Sequence, residues 1–280
     1  MTTSFLRRLF RFSVTVACLS SLNVVAAMAA DASDWSQSQH SAVRLIAGTS
    51  PTGRADVLRA GVEVKLAPGW KTYWRYPGDS GVPPHFDFTR SRNVAAIEVA
   101  WPAPHRFTEA GGEVIGYKDG LILPLRVKPA NAAEPVELDL KLDYAICEKL
   151  CVPVEATARL ALQGGASDQD EALAAAEQRV PRPVALGEGS PAIIAVRREG
   201  ERVVVDVAAP ADMTIDLFAE GPTPDWALPL PQPVPGPDDG IRRFAFALDG
   251  LPPGAIADGA ALRLTLVSPK KAIEVTYELP

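Results

Sequence analysis

Strand-length runs of alternating or β-branched apolar residues, each stopped by Gly, Pro or Asp, recur along the chain after its first forty residues. SAVRLIAG (41–48), VLRAGVEVKLA (57–67), NVAAIEVAWP (93–102), GLILPLRVKP (120–129) and PVELDLKLDYAI (135–146) follow one another in the first half. A period of two over such lengths matches a pleated strand with one buried face, and the even spacing of the runs suits a β-sandwich. The 26 prolines and 21 glycines act as the punctuation between runs. The pattern therefore predicts an all-β fold built as a sandwich of two packed sheets.

One interruption divides the chain. GGASDQDEALAAAEQRVPRP (164–183) contains a helix-forming stretch from Asp168 to Arg179 between a Gly-Gly break and a Pro-bounded exit. Strand patterning resumes in AIIAVRREGERVVVDVAAP (192–210), MTIDLFAE (213–220), IRRFAFALDG (241–250), ALRLTLVSP (261–269) and AIEVTYELP (272–280). The expected organisation is a β-sandwich over 31–165, a helical and Pro-containing linker over 166–188, and a second, smaller β domain over 189–280. The second domain has neither cysteine nor histidine, and its charged residues alternate with apolar ones as solvated strand faces do.

Residues 1–30 read as a secretory signal peptide: Arg7, Arg8 and Arg11 precede the apolar SVTVACLSSLNVVAAMAA, with cleavage expected near Ala29 or Ala30. No later stretch reaches the ~18 apolar residues a membrane span requires. Export to the periplasm as a protein of about 250 residues is the expectation, with room for two modest domains. Cys18 lies within the signal, and the residues before it make a poor lipid-attachment box. A formal charge of −6 without a clustered basic face argues against nucleic acid as a partner.

Removing Cys18 leaves Cys147 and Cys151, in a compartment where disulfides persist. On one straight strand their Cα atoms would be ~13 Å apart at ~3.3 Å per residue, whereas a disulfide wants about 4.4 to 6.8 Å. With Glu148-Lys149-Leu150 as a three-residue hairpin loop, the cysteines face each other across its neck. Alternation then puts Tyr144, Ile146, Val152 and Val154 on the core face, and both cysteines on the polar face near the loop tip. So small a ring adds little stability through chain entropy, and its position favours an exchanging disulfide over a staple. Lys149 would favour a thiolate and Glu148 would oppose it.

Two thiolates plus a histidine could also hold a soft cation. His40 falls in the N-terminal segment and reads as solvent-facing, while His85 and His105 each follow a proline and read as loop residues. No catalytic triad, phosphate loop or zinc-type cysteine spacing is present.

Three segments in order, GWKTYWRYPGDSGVPP (69–84), IEVAWPAPHRFTEAGGEVIGYKDGLILPLRV (97–127) and LKLDYAICEKLCVPVEATARLAL (140–162), resemble the N-terminal periplasmic domain of the DsbD family of protein-disulfide reductases, including the ScsB proteins. The resemblance implies an immunoglobulin-like sandwich that takes electrons from a membrane-embedded donor of the DsbD, CcdA or ScsB type. It would pass them to periplasmic thioredoxin-like acceptors by dithiol–disulfide exchange, without a cofactor or metal and as a monomer. In that family a cap loop shields the cysteines until a partner displaces it. Arg106 to Gly112 matches that loop here, with Glu109 at the acidic position and Ala110 where an aromatic is usual.

The resemblance also implies that Cys151 engages partners while Cys147 resolves, so the expected site is Cys147, Cys151 and Glu109. The spacing of the pair is shorter than in the best-known members. The family's membrane segments and thioredoxin-like domain are not found in this sequence, so electrons are expected from a separate protein. The alternative is a noncatalytic adaptor or copper-tolerance accessory, in which the pair is a structural disulfide or a soft-metal ligand.

Overall fold

The computed structural model describes residues 30–50, 56–78, 81–109, 112–236 and 240–280. The expected signal peptide lies outside the described residues, apart from Ala30. The first half forms β1 (Ser36–Gln37), β2 (Ser41–Gly48), β3 (Leu58–Leu66), β4 (Lys71–Gly78), β5 (His85–Asp87), β6 (Val94–Val99), β7 (His105–Glu109), β8 (Gly112–Lys118), β9 (Gly120–Pro129), β10 (Val136–Cys147) and β11 (Cys151–Leu162). Helix α1 (Asp170–Glu177) follows, then β12 (Arg182–Pro183), β13 (Ala192–Glu199), β14 (Arg202–Ala208), β15 (Asp216–Glu220), β16 (Gln232–Val234), β17 (Ile241–Ala247), β18 (Ala261–Val267) and β19 (Ala272–Glu278).

Among the described residues, one sheet of the first sandwich runs β1-β2-β3-β9-β6 and the other β11-β10-β4-β8-β7, with β5 also pairing with β10. Val43, Leu45, Val62, Leu123, Leu140 and Leu142 fill the space between them. Each such side chain, fully buried, contributes about 1.5–3 kcal/mol. Tyr144 hydroxyl meets Ser41 Oγ at 2.6 Å, so the tyrosine's polar tip is satisfied within the buried layer.

Helix α1 packs on the outside of this sandwich. Leu173 and Ala176 are fully buried, and Leu173 sits over Gly48 and Gly61, where a Cβ at Gly61 would come within 2.8 Å of it. Arg59 pairs with Asp170 and Glu177, each at 2.7 Å.

The second half forms two further sheets, β12-β19-β18-β15 and β13-β14-β17-β16. Val203, Val205, Phe244, Phe246, Leu262 and Leu264 belong to their shared core. Asp206 is buried but accepts from Arg243 Nε at 2.6 Å and Arg197 Nη2 at 2.8 Å. The Arg243 hydrogen bond holds its carboxyl below the usual range; burial opposes this, and Arg197 adds to the lowering.

Candidate functional site

Strands β10 and β11 pair in unbroken register from Val136 with Leu162 to Cys147 with Cys151. Glu148, Lys149 and Leu150 form the turn. The cysteines are joined by a disulfide with their Cα atoms 4.2 Å apart, so they face each other across the neck of the hairpin.

The exposed polar face expected for both cysteines needs correction. Cys147 is only 3% exposed, whereas Cys151 is exposed. The reason is the neighbour on the other side of β10. Strand β4 pairs there, with Ile146 opposite Thr72 and Cys147 opposite Lys71. Tyr73 therefore shares the outer face with Cys147, and together with Ala145 and Val114 it forms a small apolar cluster against which Phe107 packs. Val152, expected in the core, is 41% exposed. It lies at the tip of an edge strand, and the burial of alternate positions on β11 becomes complete only from Ala156 onward.

Tyr73 was not among the expected site residues, yet its hydroxyl lies 3.1 Å from Cys147 Sγ and 3.0 Å from Cys151 Sγ. A disulfide offers no proton, so the phenol is the donor, to one sulfur at a time. Burial raises its pKa, which keeps the proton in place at neutral pH. The signal for it is the alternation of KTYWRYPG, which sets Tyr73 opposite in sense to Trp74. That becomes informative only once β4 is known to pair with β10.

The segment matching a cap loop, Arg106 to Gly112, is built largely into strands. Arg106 to Glu109 lie in β7 and Gly112 begins β8, with Phe107 opposite Val114 and Glu109 opposite Gly112. Lys71 Nζ and Lys118 Nζ lie 5.5 and 4.7 Å from the centroid of the Phe107 ring, within cation–π range. Lys71 has its pKa lowered by burial first and by Lys118 second.

Beyond the pair, Leu150 is 79% exposed and Val152 and Val82 are also exposed. A groove of about 630 Å³ runs beside Cys151, between Val82, Pro83 and His85 on one side and Tyr144, Pro153 and Val154 on the other. His85 is thus a strand residue beside the site, and its Nδ1 is 4.0 Å from Asp143. His40, expected to face solvent, stacks on Trp70 at 4.1 Å. His105 begins β7 and is exposed. Among the described residues no three His, Cys, Asp or Glu side chains converge as a metal site would require. No helix among them is long and apolar enough to cross a membrane.

The β-sandwich thus carries one disulfide at a hairpin tip, with Cys147 covered and Cys151 open to an approaching thiolate. Residues 43–163 match the family described as "Thiol:disulfide interchange protein DsbD, N-terminal". No curated protein matches the chain by sequence. Among solved structures, the N-terminal periplasmic domain of ScsB from Proteus mirabilis is similar with a TM-score of 0.70 at 23% identity, covering 89% of this chain and 98% of that chain. At that identity the likeness is one of fold, and it extends over both sandwiches. A marsupial T cell receptor, 10% identical over 88% of this chain and 97% of its own, reaches a TM-score of only 0.22.

Proposed function

We propose that this chain is a periplasmic electron carrier that passes reducing equivalents from a membrane-embedded donor to thioredoxin-like acceptor proteins through Cys147 and Cys151. The observation that carries the reading is the asymmetry of the pair: Cys151 is exposed beside an apolar groove while Cys147 is covered. Exchange is an in-line attack of a thiolate on one sulfur, so the open sulfur takes the partner.

In the loading step a donor thiolate attacks Cys151 Sγ and the Cys147–Cys151 bond breaks. Cys147 leaves as a thiolate, which the Tyr73 hydroxyl favours. The donor's second thiol then releases Cys151; two electrons and two protons have entered, and the donor is left as a disulfide. Delivery reverses the roles. Cys151 attacks the acceptor disulfide, and Cys147 resolves the mixed disulfide and re-forms the pair. The exposed apolar patch of Leu150, Val152 and Val82 supports a protein rather than a small thiol as partner. Glu109 stands in this proposal as the acidic member of the segment next to Phe107, on its place in β7 alone.

The first prediction tests the division of labour. Cys147→Ser keeps the open sulfur and removes the resolving one, so it should accumulate a reductant-sensitive adduct in a periplasmic extract. Cys151→Ser should trap far less, and the double variant none. Failure of both single variants to form adducts, together with resistance of the native pair to a thioredoxin-like donor, would make the disulfide a staple. The burial of Cys147 is the observation on which that second reading rests.

A further inference from the structure

The second domain has no cysteine, yet it covers the back of β4 and β8, the strands beside the hairpin that holds the pair. Phe218 and Leu230 belong to the same buried core as Trp74 and Ile115 of the first domain, and the Phe218 ring lies 5.7 Å from that of Trp74. At this end of the six-stranded sheet, the second domain therefore does the work that the facing sheet does elsewhere.

Among the described residues, strand β7 is the edge of that sheet and pairs only with β8. Successive side chains of a strand point to opposite faces. Phe107, opposite Val114, packs on the cysteine side, while Arg106, opposite the fully buried Ile115, points to the other face. There its side chain is 14% exposed and is held almost entirely by the second domain. Arg106 donates to Asp216 Oδ1 at 2.8 Å and Oδ2 at 3.1 Å, to the Pro231 carbonyl at 2.9 Å and to the Leu217 carbonyl at 3.3 Å. It also donates at 2.8 Å to Glu113 Oε2 of β8, which in turn accepts from Gln232 Nε2 at 2.6 Å. A planar guanidinium gripped by a bidentate carboxylate and two carbonyls has one orientation, and its backbone is fixed with it.

We propose that the second domain braces β7 through Arg106, so that Phe107 is held over Cys147 and the brace sets how fast the Cys147–Cys151 disulfide opens. The proposal rests on the exchange reading above and deepens it. Arg106 is a positioning residue: it touches neither sulfur and acts through its neighbour Phe107. Loosening the grip lets Phe107 leave the apolar cluster more often and admits a nucleophile to the pair, without changing the chemistry of either sulfur. The second domain thereby has a task in the reaction although it contributes no reacting atom.

The experiment uses the full chain. The disulfide is opened by excess dithiothreitol, its rate is followed by alkylation and mass, and amide hydrogen exchange is read strand by strand. Arg106→Ala and, from the other side of the interface, Asp216→Asn should each speed reduction about tenfold, the effect of weakening the docked state by about 1.4 kcal/mol. Exchange should rise in β7 while β10 and the second domain's β18 stay protected. Arg106→Lys, which keeps the charge but not the fork, should fall between wild type and Arg106→Ala. If Arg106→Ala does not fold, Asp216→Asn decides by the same readouts. A wild-type reduction rate in the folded variants overturns the brace, as does faster reduction with exchange raised evenly through both domains. Failure of the exchange reading is distinct: the wild-type disulfide would then resist a thioredoxin-like donor and Cys147→Ser would trap nothing.

Discussion

One phenol proton within reach of two sulfurs bears directly on the redox balance of the site. In the oxidised state Tyr73 donates to a neutral sulfur, a weak acceptor; after reduction the Cys147 thiolate is a far stronger one. The hydrogen bond therefore stabilises the reduced form more than the disulfide. Tyr73→Phe keeps the ring in its buried place and removes only the donor. The loss should be about 1.5 kcal/mol for a bond to a charged group, which corresponds to a potential about 30 mV more negative. Equilibration against a glutathione buffer measures it, and a potential that is unchanged or more positive would remove Tyr73 from the site. The cysteines themselves were legible because four-residue spacing and flanking alternation determine a hairpin neck. Tyr73 was not, because its partnership depends on β4 pairing with β10, 74 residues away in sequence. The same missing neighbour explains why Cys147 read as exposed.

At the scale of elements, the hairpin β10–β11 separates a packed face from a solvated one. Leu142 is buried between the sheets, whereas Thr157 on the outer face is exposed. Leu142→Ala should cost about 2–5 kcal/mol through lost burial and a residual cavity. Thr157→Ala should cost under ~0.5 kcal/mol, and Val152→Ala, 41% exposed, should behave like a surface change rather than a core one. Urea midpoints of the three variants check the ordering; equal costs for Leu142 and Thr157 would contradict the register. Alternation gives the face a residue occupies, but not how far the facing sheet extends, which is why Val152 read as core. Long runs with a clear period were legible to the residue, as in β2 and β9, whose ends coincide with SAVRLIAG and GLILPLRVKP. Strands of two or three residues such as β1, β5, β12 and β16 carry no period of their own and exist through the neighbours they pair with.

At the scale of the whole molecule, the two sandwiches share buried surface rather than merely a tether. Besides Phe218 and Leu230, Arg75 of β4 donates to Glu220 at 2.7 and 2.8 Å and to Glu274 at 2.7 Å, and the Tyr76 hydroxyl donates to the Leu228 carbonyl. Burial disfavours the Arg75 charge, but its hydrogen bonds and attraction to Glu220 and Glu274 outweigh that and raise its pKa. If the first sandwich unfolded alone, it would leave these carboxylates without their cation and Phe218 in water; if the second did, it would expose Trp74. Each loss is large against the 5–15 kcal/mol that typically holds a domain folded. Calorimetry of the protein should therefore show one transition, with the van't Hoff enthalpy equal to the calorimetric one. Phe218→Ala should lower its midpoint by the equivalent of about 3–5 kcal/mol, and Trp fluorescence should follow the same curve as far-UV circular dichroism. Two resolved transitions in the unsubstituted protein, or a Phe218→Ala effect confined to the second of them, would mean that the sandwiches are independent and that the shared core contributes little to stability.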